Sequence, residues 1–411
     1  MTGLAFGAWD TIVDKVAGGY PSFPFAWRDS SGNSHVVYRD ASSKRSFADG
    51  GTTSGTPIIT SASALAADVG QAATGTGIPS NAYVIAANPG VSITLNLNAT
   101  ATAAAVSVQL GAEHSTGGAF WYRRNNAAGV LLFDFASEGG PIQDTFVFQR
   151  PSDGKIVFLE RMGTAESNRV AISNDLGVTV GAMSAIVLPP ELKASGAFFS
   201  DITLSMDGTE LIAAVYGWEP AQSGTNWSVA CWRSTDGVTW THRAWIARYN
   251  DAASAAGKAN ETGFARLPRG RLVAAMRHHA DGNPGFTSYS DDEGVTWSAR
   301  IQPNTTSGLA GGNQRNNFGV NSPTRGVPVR ADRVAVAGRY FGGATNGTWI
   351  AWWLLDDEGG YVGGPYLLHA TSQGAYVALI KESEGLVAYS YTNRNVNDEN
   401  EALIRSTVRV T

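Results

Sequence analysis

Six times along the chain a turn leads into an apolar, often alternating run that ends on polar or aromatic side chains. The runs are Asn33 to Arg39, Gly154 to Arg161, Thr209 to Trp218, Gly270 to Arg277, Asp332 to Arg339 and Gly385 to Tyr391. Their apolar content, β-branching and bounding turn residues predict strands. Gly32, Gly154, Gly208, Gly270, Asp332 and Gly385 mark their starts, at steps of 122, 54, 62, 62 and 53 residues. The first step is about twice the rest.

The excess sits in one place. Residues 52–112 are rich in Ala, Thr, Ser and Gly, with Asp68 the one charged residue and Tyr83 the one aromatic. Removing these 61 residues brings the first step to 122 − 61 = 61. Within the segment, Asn81 to Ala87, Val91 to Leu97 and Ala105 to Leu110 read as strands. The chain therefore divides into a repeated body, residues 1–51 and 113–411, and a small inserted β-module, residues 52–112.

A second repeat is independent of the first. Ser290-Asp-Asp-Glu-Gly-Val-Thr-Trp297 recurs in weaker form at Ser173 to Val180 and Ser234 to Trp240, with a degraded copy at Leu355 to Gly359. The aligned aspartates are Asp175, Asp236, Asp292 and Asp357, at steps of 61, 56 and 65. Asp and Ser oxygens accept from nearby backbone N–H groups, and Gly takes a conformation other residues avoid, so each copy encodes a tight turn. A fixed period means one supersecondary unit repeated about an axis. Six units of about 58 residues suit four-stranded blades, and radial repetition protects the edges of an antiparallel protein. The fold expected is all-β, a six-bladed β-propeller, with Glu401 to Val410 pairing to the N-terminal region to close the ring.

Composition narrows the function. Only 16% of the 411 residues are charged, against a typical ~25%, and the 48 Gly and 12 Trp fit a turn-rich β protein. A net charge of −5 supplies no basic field for nucleic acid. Cys231 is the single cysteine, so no internal disulfide framework is expected. No run reaches the ~20 apolar residues of a membrane span, and residues 1–19 carry no secretion signal pattern. The six histidines lack metal-ligand spacing and no cofactor-binding motif is present, so neither metal nor cofactor is expected.

Matching positions in every blade point to the same end of the ring. The residues closing the six strands are Arg39 and Asp40, Glu160 and Arg161, Trp218 and Glu219, Arg277 with His278 and His279, Arg339 and Tyr340, and Tyr391 with Arg394. Guanidinium groups bind carboxylate or phosphate bidentately, and flat rings stack on sugar faces. An anionic or mixed-polarity glycan is the expected ligand, held by Arg39, Arg161, Trp218, Glu219, Arg277, His278, Arg339 and Tyr340.

The Ser-x-Asp-x-Gly-x-Thr-Trp repeats resemble Asp boxes, and with six blades the chain is similar to the sialidase superfamily over residues 1–51 and 113–411. The resemblance implies that the box aspartates are structural and lie away from the site. Asn260-Glu261 followed by Gly270 to Arg277 resembles the segment that carries a catalytic Glu and one arginine of the carboxylate-binding triad. Tyr376 resembles the nucleophilic Tyr, which such enzymes activate with Glu. Asp40 or Asp49 would supply the acid/base. The pattern departs at the first triad arginine, where Tyr20-Pro-Ser-Phe-Pro24 has no Arg, and the third has no clean match. These departures favour a binding protein over a hydrolase.

The Ala/Thr/Gly-rich insert, with Ala67-Asp-Val-Gly70 and Gly75-Thr-Gly-Ile-Pro79, resembles small β-modules of bacteriophage minor tail proteins. That resemblance implies a virion tail or receptor-binding protein holding a host cell-surface glycan, beside other tail proteins and as a homotrimer. The alternatives are a sialidase-like glycoside hydrolase using Glu261, Tyr376 and Asp40, and a purely structural tail component.

Overall fold

The computed structural model describes the chain outside residues 1–3, 15–18, 43–44, 70, 72, 80–81, 111–118, 126–129, 135–141, 163–167, 225, 252–258, 279–284, 302–324, 342–347, 372–376, 383–384, 394–400 and 411. Six antiparallel sheets follow one another. Blade 1 is Gly19–Arg28, Ser34–Ser42, Ala119–Arg124 and Val130–Asp134. Blade 2 is Ile142–Gln149, Ile156–Met162, Asn168–Ser173 and Ser184–Ala185. Blade 3 is Ala197–Leu204, Leu211–Gly217, Ser228–Ser234 and Thr241–Ala247. Blade 4 is Ala259–Arg266, Leu272–His278 and Phe286–Ser290, with Ile301 bridging to Thr287. Blade 5 is Arg325–Arg330, Arg333–Phe341, Thr348–Asp356 and Tyr361–Thr371. Blade 6 is Val377–Glu382, Gly385–Asn393 and Glu401–Val410, completed by Leu4–Asp14 from the other end of the chain.

This is a β-propeller. First strands of neighbouring blades meet, Gly19–Arg28 against both Val377–Glu382 and Ile142–Gln149, which places them innermost. The ring closes as expected, through antiparallel pairing from Leu4↔Val410 to Asp14↔Ala402.

The apolar runs are continuous because each inner strand is covered on both faces. In blade 3, Leu211, Ala213 and Val215 join the core shared with blades 1 and 2. Their neighbours Ile212, Ala214 and Tyr216 join the core shared with blade 4. Alternation thus sends successive side chains to different neighbours, and all of Leu211–Gly217 is buried.

The Asp boxes form the turns between third and fourth strands. In blade 4, Asp292 Oδ1 accepts from Thr296 N (2.8 Å), Oδ2 from Thr296 Oγ1 (2.6 Å), and Ser290 Oγ accepts from Gly294 N (2.8 Å). Blade 2 repeats the arrangement with Asp175, Thr179, Ser173 and Gly177. Blade 3 repeats its core with Asp236, Thr239, Ser234 and Gly237. Trp240 then packs edge-on against Phe148 of blade 2 and Phe199 of its own blade.

Two sequence expectations need correction. In blade 5 the turn aspartate is Asp356, whose Oδ1 accepts from Glu358 N (3.0 Å) and Gly360 N (2.6 Å); Asp357 instead pairs with Arg269 and Arg271 of blade 4. The inserted sheet also begins earlier than residue 52. Arg45–Thr52 pairs with Ala103–Leu110 in a six-stranded sheet with Ile58–Thr60, Ala73–Gly75, Val84–Asn88 and Ser92–Leu95. Its edges are joined by Ala73 N donating to Ala82 O (2.8 Å) and Val84 N to Gln71 O (2.9 Å). Phe47, Ile59, Val84, Ile93, Val106 and Val108 give it a core of its own.

Candidate functional site

Antiparallel order puts the starts of first strands and the ends of second strands on one face, and the Asp boxes on the other. The inserted module leaves from Ser42 and returns at Ala119, so it stands on the first of these faces. The same face carries a feature the sequence does not show. The first strands of blades 1 to 4 each shift register near that end, between Ser22 and Phe25, Ile142 and Asp144, Phe199 and Asp201, and Ala259 and Thr262. Bulges re-aim side chains and are common beside sites.

In blade 4 the effect is visible in side chains. Asn260 and Glu261 together oppose Arg277, because Ala259 pairs with His278 and Thr262 with Met276. Glu261 and Arg277 meet there, with Nη1 donating to Oε2 at 2.5 Å. His278 is buried, its ring stacked on Phe286 at 5.4 Å and 28°.

Trp218 and Glu219 lie on the same face of blade 3. The Trp218 ring stacks on Trp227 (4.3 Å, 24°) and lies so close to Gly196 that a Cβ there would stand 2.3 Å from it. With Phe198 and Tyr216 these rings form one aromatic cluster. Glu219 accepts from Ser228 Oγ (2.7 Å), Arg248 Nε (3.0 Å) and Arg248 Nη2. Burial pushes the Glu219 carboxyl up, yet the Arg248 guanidinium and Ser228 hydroxyl hold it below the usual carboxylate range.

The remaining candidates are placed by backbone register. Arg39 and Asp40 lie opposite Ser22 and Pro21, and Arg161 opposite Asp144. Arg339 and Tyr340 lie opposite Ile350 and Trp349 at the end of their strand. Tyr376, His279 and Arg394 fall outside the described residues. Asp49 belongs to the inserted sheet, where its carboxylate accepts from Ser61 Oγ (2.8 Å) and Ser63 N (3.2 Å), and is not a rim residue.

Inspection of second-strand ends misses three further rim residues between blades 3 and 4. Arg248 and Asp251 follow the fourth strand of blade 3, and Arg300 follows the blade 4 Asp box. Asp251 Oδ2 accepts from Arg248 N (2.7 Å) and lies 3.5 Å from Arg300 Nη2. The Arg300 guanidinium covers the Phe286 ring at 5.2 Å. No repeat spacing marks these positions. Among the described residues no group of three or more His, Cys, Asp or Glu side chains could hold a metal.

Structural comparison agrees with this architecture. Over 100% of both chains, the protein is similar to a protein of unknown function from Dyadobacter fermentans, with a TM-score of 0.63 and 14% identity. It is similar to the NanB sialidase of Streptococcus pneumoniae (TM-score 0.53, 11% identity, 98% of this chain and 70% of that one). It is also similar to the GH93 α-L-arabinofuranosidase of Fusarium graminearum (TM-score 0.51, 10% identity, 98% of each). The fold is a sialidase-like propeller. No protein-family model and no curated protein sequence matches the chain. Chemically, the rim offers paired carboxylates and guanidinium groups beside aromatic rings, a set that suits hydroxyl-rich ligands.

Proposed function

We propose that the bulged face of the propeller binds a glycan, and that the chain is a phage tail protein presenting this face to the host surface. The observation that carries the binding reading is the Glu261–Arg277 pair, set at the rim by a bulge whose counterparts recur in blades 1 to 3. Likeness to glycoside-acting propellers supports carbohydrate as the ligand class. The tail assignment rests on the resemblance of the inserted module, and with it go a virion location and neighbouring tail proteins as partners.

Hydrolysis is the second reading. It asks Glu261 to activate a phenol, whereas its carboxylate is engaged by Arg277 at 2.5 Å, which favours holding a ligand over general-base work. The test is retention of the full chain on purified cell-wall polysaccharides from a panel of bacteria. Retention without release of soluble sugar, lost in Arg277→Ala, is the expected result. Retention that survives Arg277→Ala would move the site elsewhere, and steady sugar release would establish the hydrolase.

A further inference from the structure

We propose that the outward face of the inserted module is a self-association surface, which packs against the same face of a second copy of this chain. The face is built on Ile58–Thr60, Ser92–Leu95 and Val84–Asn88. The inference is independent of the glycan-binding reading, and its test needs no glycan.

These three strands lie side by side, and alternation sorts their side chains between two faces. Ile59, Ile93, Val84 and Leu95 belong to the module's own core. Ile58 pairs with Thr94 and Thr94 with Ala86, so these three form a row on the other face. Ile85 is the extra residue of a bulge between the pairs Val84↔Leu95 and Ala86↔Thr94, and it too is exposed. The apolar character continues past both ends of the strands. Val91 lies in the turn that joins Val84–Asn88 to Ser92–Leu95, and Gly90 N donating to Ala64 O (2.8 Å) brings Leu65 to the same end. Leu97 lies at the other end, beyond Asn96 N donating to Tyr83 O (2.9 Å). Ile58, Leu65, Ile85, Val91 and Leu97 are between 38% and 54% exposed, and they make up five of the twelve exposed large hydrophobics among the described residues. So many from one small module form a patch of the kind that marks an interaction site.

Charge selects the occupant. Asp68 is the one charged residue of 52–112; it is buried, and Arg45 Nε donates to its Oδ1 at 2.7 Å. Asp49, on the adjoining strand Arg45–Thr52, is engaged by Ser61 and Ser63. The face therefore offers no counter-charge, and a charged partner would lose the hydration of its charges without compensation. Neither end of the propeller matches it. The rim carries Glu261 with Arg277 and Glu219 with Arg248, and the Asp-box face carries Arg269 with Asp357 and Arg271 with Asp291.

The same face of another copy does match. Aliphatic side chains meet aliphatic ones, and the next row, Thr60, Ser92 and Asn88, borders them with groups that both donate and accept. Because the edges of the sheet are joined by Ala73 N to Ala82 O and Val84 N to Gln71 O, a partner strand has no open edge to extend. Contact is then face to face, at the ~10 Å spacing of packed sheets. A face that meets itself gives an isologous interface.

The experiment is sedimentation velocity of the full chain at micromolar concentration. The expected particle has at least twice the 43.2 kDa of one copy. The double variants Ile58→Asp/Ile85→Asp and Ile58→Lys/Ile85→Lys should each sediment as single copies with wild-type circular dichroism. An equimolar mixture of the two should regain the larger particle, since opposite charges then face each other. Val178→Asp, at an exposed position of the blade 2 Asp box, should keep the wild-type mass. A wild type of 43.2 kDa would overturn the proposal, as would an undiminished mass in the folded double variants. Dissociation by Val178→Asp, or a mixture that stays monomeric, would place the contact on another surface and overturn it as well. Thr94→Glu and Thr94→Lys, at a position already polar, carry the same test if a double variant misfolds.

Discussion

Tyr122 Oη lies 2.6 Å from His35 Nδ1, inside the seam between blades 1 and 2. The other imidazole nitrogen, Nε2, is 2.9 Å from Asp29 Oδ2. Both histidine and carboxylate are buried. Since a carboxylate only accepts, Nε2 carries the proton and the Tyr122 hydroxyl donates to Nδ1, so the neutral tautomer is fixed. Burial pushes the His35 imidazole below its ordinary value of 6.5, against the opposing pull of Asp29. Burial pushes the Asp29 carboxyl up, but His35 and Asn33 hold it below 3.8.

The pH dependence follows from these directions. Unfolded His35 takes up a proton more readily than folded His35, so its contribution is fully present above about pH 6.5 and is lost as pH falls toward the depressed folded value. Asp29 acts in the same sense, with its contribution lost below about pH 3.8. Thermal unfolding between pH 8 and 5 should show Tm falling on the acid side, with a flatter profile in His35→Gln. A wild-type Tm that rises on acidification would contradict the assignment.

Gly177 of the blade 2 Asp box has φ +88°, and a Cβ there would stand 2.2 Å from Tyr122 Oη. Gly177→Ala therefore combines a left-handed backbone penalty of about 1–2 kcal/mol with overpacking of about 1–3 kcal/mol. Gly55 has φ +82° but nothing within 4 Å, so Gly55→Ala carries only the backbone part. Urea denaturation of the two variants should rank Gly177→Ala as clearly the less stable. Equal losses would mean that the seam yields to the extra methyl group.

In blade 5 the two neighbouring aspartates separate a turn from an ion pair. Asp356→Ala leaves the N–H groups of Glu358 and Gly360 without their acceptor, a loss of about 1–3 kcal/mol at ~0.5–1.5 for each hydrogen bond. Asp357→Ala removes contacts to half-exposed Arg269 and to largely buried Arg271, which keeps its pairing with Asp291, so the loss is about 0–1 kcal/mol. A chemical denaturation midpoint that drops further for Asp357→Ala would restore the alignment read from sequence.

That reversal shows what the sequence carries and what it withholds. Apolar runs and turn phrases repeat because every blade buries the same inner strands and closes the same turn, so the ring and its closure by Glu401–Val410 were legible. A one-residue offset at Asp356 was not, because Leu355-Asp-Asp-Glu-Gly359 satisfies either alignment. Residues 45–51 read as part of the propeller since their composition continues that of blade 1, and their membership of the inserted sheet is fixed only by the pairing of Arg45–Thr52 with Ala103–Leu110. At the rim, Arg277 is legible as a position because it ends a repeated strand, and Glu261 through the sialidase resemblance of its segment. Arg248, Asp251 and Arg300 are not, since they lie beyond fourth strands or boxes, where the repeat imposes no pattern. The bulges at Asn260–Glu261 and its counterparts have no residue signature at all.

The Glu261–Arg277 contact is itself measurable as a coupling. Their side chains are 10% and 18% exposed, so each is largely withdrawn from water and each single variant leaves a charge with a lost partner. Glu261→Gln, Arg277→Gln and the double variant form a cycle whose coupling should reach about 1–3 kcal/mol in thermal or chemical unfolding. Glycan retention should be lost in all three variants, since binding needs the charges where the bulge holds them, whereas stability should partly recover in the double variant. Asp292→Ala in the opposite-face Asp box is the control, because it should lower stability while retention persists in the protein that remains folded. Retention that disappears in Asp292→Ala but persists in Arg277→Gln would place the binding surface on the Asp-box face.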